Sequence, residues 1–228
     1  DSTPAPTPAP VPPPPPLAEP EFQSGHEAVG VDIMASSVSE GYTTMRFTVT
    51  LAEDQSNVYA IYSSDGLEMM SIPPAFQVAT PFGSHTGGVS ELFYGAAPDA
   101  EFDSWLTIGE VGGDPNDALS SAGIDFATWD ENTPLAVEAP PVGGSVFWMV
   151  PADGPGGPDP IVLAQLTVPA GSVGVVTMGV QGMSTGGEDY QGGVMWTYGG
   201  DTAPAPAPGP TDGGGRRLQD EVMLQRSV

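Results

Sequence analysis

Residues 102–109 read Phe102-Asp103-Ser104-Trp105-Leu106-Thr107-Ile108-Gly109, and this stretch decides the fold class. Large apolar and small polar residues alternate, β-branched residues gather toward its end, and glycine stops it. That is the pattern of a half-buried antiparallel strand. A period of two puts Phe102, Ser104, Leu106 and Ile108 on one face and Asp103, Trp105 and Thr107 on the other. Each face carries a bulky ring, so the strand is expected at the centre of a sheet covered on both sides.

The flanking chain repeats the same grammar. Tyr42–Ala52 alternates most cleanly, with Tyr42, Thr44, Arg46, Thr48 and Thr50 opposite Thr43, Met45, Phe47, Val49 and Leu51. Further strands are expected at Ala28–Met34, Val58–Ser63, Leu67–Ile72, Ala75–Ala79, Glu91–Tyr94, Leu135–Glu138, Ser145–Val150, Ile161–Val168, Ser172–Gln181 and Gly193–Tyr198. Asp117–Ile124 alone suggests one or two helical turns. A dozen short strands separated by Gly and Pro turns imply an all-β fold, a single antiparallel β-sandwich or jelly roll. The expected core spans 35–200, preceded by a connecting strand at 21–34.

Composition narrows the function classes. The 228 residues hold 29 acids against four arginines and no lysine, for a formal charge of −25. Arg46 is the only cation before Arg216. Such a charge repels phosphate backbones, which argues against nucleic acid as a partner. Cysteine is absent, which removes disulfides and thiolate chemistry. No apolar run is long enough for a transmembrane helix, so no membrane insertion is expected. The chain opens on Asp1 without a basic, apolar leader, as a secreted protein would after losing its signal peptide.

Residues 1–20 hold ten of the 27 prolines. Fixed φ angles and missing donors forbid a helix or a central strand there. A polyproline II rod of about 50 Å over the first 16 residues is expected, at ~3.1 Å per residue. A stiff linker is the plainest reading. The Ala-Pro, Thr-Pro, Val-Pro and Pro-Pro dipeptides of 1–20 and of Thr202–Pro210 also resemble the hydroxyproline-rich glycoproteins of algal and plant cell walls. That resemblance implies O-glycans on hydroxylated Pro4, Pro6, Pro8, Pro10, Pro12, Pro13, Pro14, Pro15, Pro16, Pro204, Pro206 and Pro208. Asn57, Asn116 and Asn132 all lie outside N-glycosylation sequons. After the Pro/Gly linker of 201–215, residues 216–228 are cationic and helix-permissive. There Leu218, Val222, Met223 and Leu224 are able to dock on an acidic core.

A second resemblance rests on Tyr42-x-x-x-Arg46-Phe47-x-Val49, Pro98–Gly109, Leu163-Ala-Gln-Leu-Thr-Val168 and Gly179-Val-Gln181. Together they resemble a secreted β domain of microalgae, related protists and environmental bacteria, whose middle motif reads Tyr/Phe-Asp-Ser-Trp/Phe-x-Thr-Ile-Gly. The resemblance implies an extracellular surface or matrix setting, sometimes in fibrous assemblies, and brings no catalytic residues.

Few motifs point to chemistry. Gly182-Met183-Ser184-Thr185-Gly186 matches a nucleophile elbow, but His26 and His85 both precede it and no helix follows, so it reads as a chance turn. Paired carboxylates cannot be singled out among 29 acids, and no enzyme activity is expected. Asp114, Asn116, Asp117 and Asp125 are hard-oxygen donors that would suit Ca²⁺, without EF-hand spacing; the competing reading is an Asp/Asn-capped turn. No other cofactor is called for. Trp105, Trp129, Trp148 and Trp196 are candidates for a sugar platform, with Trp148 read as core and Trp129 and Trp196 as the exposed pair.

The sequence thus leads to two expectations. One is an extracellular structural glycoprotein that polymerises with copies of itself, head to tail, through its tails. In it the apolar residues Phe22, Val29, Val31 and Ile33 of the N-terminal arm, with Leu218, Val222 and Leu224 of the C-terminal tail, supply assembly contacts. The alternative is a carbohydrate-binding or adhesive module on a Pro-rich stalk.

Overall fold

The computed structural model describes residues 28–33, as backbone, and residues 41–199. Eleven strands are present: β1 (Ala28–Ile33), β2 (Tyr42–Thr50), β3 (Ala60–Tyr62), β4 (Trp105–Leu106), β5 (Leu119–Ala122), β6 (Ile124–Asp125), β7 (Ala136–Val137), β8 (Ser145–Trp148), β9 (Ile161–Pro169), β10 (Gly174–Met183) and β11 (Asp189–Tyr198). Only short 3₁₀ turns interrupt them, so the described chain is all-β. One sheet has the order β1-β2-β9-β4 and the other β11-β10-β3-β8-β5, every named ladder being antiparallel. A two-stranded β6-β7 ribbon completes the architecture.

The two sheets form a sandwich because each strand of alternating sequence has one apolar face to bury. Met45, Phe47 and Val49 of β2 are buried with Ile61, Val146, Val176, Met178, Val180 and Val194 of the second sheet. Phe47 sits edge-on to Trp196 and Tyr198, with ring centroids 5.8 and 6.1 Å away. The Trp196 indole N–H donates to the Thr48 carbonyl (3.1 Å), and that of Trp148 to the Ile108 carbonyl (3.0 Å). Rings on one sheet are thereby bonded to backbone belonging to the other layer. A register shift between Phe47 and Thr48 leaves Leu163 of β9 without an opposite residue. This bulge lets Ile161 stand opposite Val49 while Ala164 and Leu166 still stand opposite Phe47 and Met45.

The stretch 102–109 differs from its expected form. All of Phe102–Ile108 is buried, as bulk on both faces requires. Yet the ladder strand is only β4, at the margin of its sheet instead of the centre. Pro98–Phe102 winds into a 3₁₀ turn, and Asp103 and Ser104 satisfy backbone amides with their side chains. The margin is sealed by residues 85–87: Leu106 N–H donates to the His85 carbonyl and Gly87 N–H to the Leu106 carbonyl, each at 3.0 Å.

Other expected strands give way to turns for local reasons. Glu91–Phe93 is a 3₁₀ turn whose Leu92 amide is capped by Ser90 Oγ. At Leu67–Ile72 a positive φ at Gly66 starts a 3₁₀ turn, leaving a single bridge from Ser71 to Thr177. Ala75–Ala79 forms no ladder strand; its Phe76 and Val78 amides go to the Thr167 carbonyl and the Asp103 carboxylate. Asp117–Ile124 is strand where helical turns were expected, because Asp114 and Asp117 complete a tight turn that feeds β5.

Removing the ring that locks the two sheets tests this packing. Phe47→Ala should lower unfolding stability by about 3–5 kcal/mol, read from the midpoint of urea unfolding at unchanged slope.

Candidate functional site

The outer face of the four-stranded sheet carries a polar row where a solvated surface would be the usual arrangement. Asp32, Arg46, Gln165 and Trp105 occupy successive register positions across β1, β2, β9 and β4. Arg46 Nε donates to Gln165 Oε1 (3.0 Å), and its guanidinium lies 5.8 Å from the Trp105 ring centroid. Gln165 Nε2 donates onward to the carbonyls of Glu101 (3.0 Å) and Asp103 (2.8 Å). Next to this row, the Thr167 hydroxyl donates to the Phe102 carbonyl (2.6 Å) and lies 2.6 Å from the Thr44 hydroxyl. The Thr167 amide donates to Ser104 Oγ (2.9 Å). The Asp-Ser-Trp motif is therefore a strap that fixes the segment before β4 over the sheet.

Asp103 is the centre of the strap. Its carboxylate has no solvent exposure and accepts the amides of Val78 (2.7 Å), Ser84 (2.7 Å) and Ser104 (3.0 Å). Two of those amides bracket the 78–84 loop, so one side chain pins both ends of it. Burial raises the carboxyl from its ordinary 3.8 to about 6, against the lowering effect of the three amides. Gly83 closes the loop so tightly that a Cβ there would stand 1.8 Å from the Val78 carbonyl oxygen.

The pinned loop forms one wall of a cleft of about 330 Å³. Gln77, His85, Phe126 and Trp129 line it with the loop backbone. The His85 imidazole stacks on Phe126 at 5.3 Å between centroids, only 5° from parallel. Burial lowers its pKa below the ordinary 6.5, so the ring is neutral at pH 7. Its Nδ1 is buried without a hydrogen-bond partner, and so are both Nε2 and Oε1 of Gln77.

Residues singled out in the sequence fall elsewhere. Trp129 and Trp196, expected exposed, are 2% and 1% exposed, because each indole N–H is consumed by a carbonyl, that of Pro73 for Trp129 and that of Thr48 for Trp196. Trp148, expected in the core, is the half-buried member. Both Asp114 oxygens accept amides, from Ala118 (2.8 Å) and Leu119 (2.7 Å), while Asp125 caps the separate Phe126–Thr128 turn through Ala127. Among the described residues no three carboxylate or imidazole groups converge as a metal site. Ser184 lies in the β10–β11 hairpin, where its Oγ accepts the Glu188 amide, and not at a strand-to-helix turn. Val29, Val31 and Ile33 stand in β1 opposite Val49, Phe47 and Met45. Phe22, Leu218, Val222 and Leu224, and the twelve candidate glycosylation prolines, lie outside the described residues. Gln77, His85 and Phe126 were not marked by the sequence, because no spacing announces a cleft assembled from two loops.

Comparison with known protein-family models, with curated proteins and with solved structures finds no match.

The Asp103 environment fixes the sign of a pH effect. A carboxyl raised to about 6 when folded binds its proton more readily folded than unfolded. Its contribution is fully present below about 3.8 and is lost as pH rises through about 6. His85, lowered by burial, acts in the opposite sense as pH falls through 6.5. Asp103→Asn should therefore remove a rise in Tm on the order of 5 °C between pH 7.5 and 4.5, measured as the difference between the two proteins' melting curves.

Proposed function

We propose that this chain is the subunit of an extracellular structural polymer in which β1 of one copy completes the sheet of the next. The register of β1 on β2 carries the reading: six consecutive positions, Ala28↔Thr50 to Ile33↔Met45, pair a strand from the N-terminal arm with the margin of the sheet. Main-chain hydrogen bonds of this kind supply affinity in strand addition and are the same whether donor and acceptor share a chain. Eight residues, 34–41, separate the donor strand from β2, so exchange between copies needs movement of the arm alone. A head-to-tail contact of this type propagates instead of closing a ring. The Pro-rich segments would carry O-glycans on the outside, and the net charge of −25 would keep unassembled subunits apart. No helix of the described residues is long and apolar enough to cross a membrane.

The absence of cysteine makes exchange directly measurable. Ala28 and Thr50 face each other in the register, within disulfide reach of paired strands. Mixing Ala28→Cys with Thr50→Cys protein under assembly conditions should give covalent dimers on oxidation. Failure to cross-link, with filaments still seen by electron microscopy after deletion of residues 1–34, would refute strand exchange.

A further inference from the structure

We propose that the cleft between the 81–84 segment and the Glu91–Phe93 turn is the seat of residues 216–228 of the same chain. The proposal does not use β1 or strand exchange and stands apart from the polymer reading.

The loop that Asp103 pins has a second side. There Pro81, Phe82 and Ser84, with Val89, Phe93 and Leu119 opposite, wall a cleft of about 340 Å³. Phe82 and Phe93 meet edge-on, 6.0 Å between centroids and 71° apart. The apolar surface continues into solvent: Phe93 is 42% exposed, the adjacent Leu92 90%, and Pro81 is exposed as well. The cause is local. A 3₁₀ turn sends successive side chains about 120° apart, so Glu91, Leu92 and Phe93 cannot share one inward direction. A single exposed leucine needs no explanation, but adjoining apolar residues at the mouth of a cleft mark a contact surface.

Charge identifies what covers it. Asp114 and Asp117 line the cleft, and the Pro98–Phe102 turn, packed on the Glu91–Phe93 turn, brings Asp99 and Glu101. Burial raises the Tyr94 hydroxyl pKa, and Glu101 and Glu91 add to the rise against Arg46, which places both carboxylates beside that ring. The occupant must therefore join apolar side chains to positive charge. Arg46 is the only Lys or Arg among the described residues, and its guanidinium is engaged with Gln165 and Trp105. The other three cations of the chain, Arg216, Arg217 and Arg226, bracket Leu218, Val222, Met223 and Leu224. No other stretch combines the two properties. Residues 200–215 join this segment to the body, and sixteen residues span up to about 55 Å. A body of this size has a radius of gyration of about 15 Å, so the cleft is within reach. Tethering gives an effective concentration on the order of millimolar. A segment from another copy would arrive on a chain of charge −25 and be repelled.

The test uses the full chain, whose lack of cysteine allows a single nitroxide label at Gln219→Cys. Paramagnetic broadening of backbone amides is then read by NMR at low ionic strength. It should be strongest at Phe82, Phe93 and Tyr94. It should fall at about 0.5 M NaCl, where the Debye length is about 4 Å. Leu92→Ser, at a side chain exposed enough to leave the fold intact, should reduce it about threefold or more. The double variant Arg216→Ser with Arg217→Ser, outside the body, should do the same. Broadening centred on Ser172 and Val173, which adjoin Gly199 where the tail leaves the body, overturns the proposal. So does even broadening over the surface, or full broadening in either variant. Equal broadening of an isotope-labelled chain by a separate nitroxide-bearing chain also overturns it, because the contact would then lie between copies.

Discussion

The structure depends on a carboxylate kept out of water. Asp103 has no cation among the hydrogen-bond partners of its carboxylate; three backbone amides carry its charge. Burying a carboxylate is expensive unless donors surround it, and amides fixed by their own loops are the donors that need not be reordered. Everything on that side of the molecule follows from this placement. The 78–84 loop closes because both of its ends are tied to one side chain, Gly83 is required because the closure leaves no room for Cβ, and His85 is delivered to the margin of β4.

What the sequence disclosed and what it hid divide along the same line. Strand β2 was legible because its period of two coincides with a real difference between faces: Met45, Phe47 and Val49 meet the second sheet. Around Asp103 the period was also present, but the polar positions were not facing solvent. Asp103, Ser104 and Thr107 are as buried as Leu106 and Ile108, so alternation there reflects two kinds of interior, one apolar and one hydrogen-bonded. Pattern reading equates polar with exposed and cannot separate the two. The same equation misplaced Trp129, whose sequence neighbours Thr128 and Asp130 are polar although the Pro73 carbonyl receives its indole.

Side-chain hydrogen bonds to the main chain also explain why predicted ladder strands turned into turns. Ser63, Asp103 and Ser90 take the amides of Met70, Val78 and Leu92, which a sheet would otherwise have used. The cleft was illegible for a different reason. Gln77 and Phe126 are 49 positions apart in the chain, and nothing in either local pattern signals the other. Only a fold in which Asp103 holds one loop, and the turn ending in Trp129 holds the second, brings them to one place.

The sealed margin of β4 has a consequence for direction. In the four-stranded sheet, residues 85–87 occupy the hydrogen-bonding groups of Leu106, whereas the opposite margin is completed by β1 from an arm outside the 41–199 body. The sheet thus has one border sealed by the body and one border formed by a strand that reaches it from the N-terminal arm. Any array built through it inherits that asymmetry: its two ends differ chemically, one offering a strand and the other the groove that takes it, and such an array lengthens as a polar object with a defined front and back.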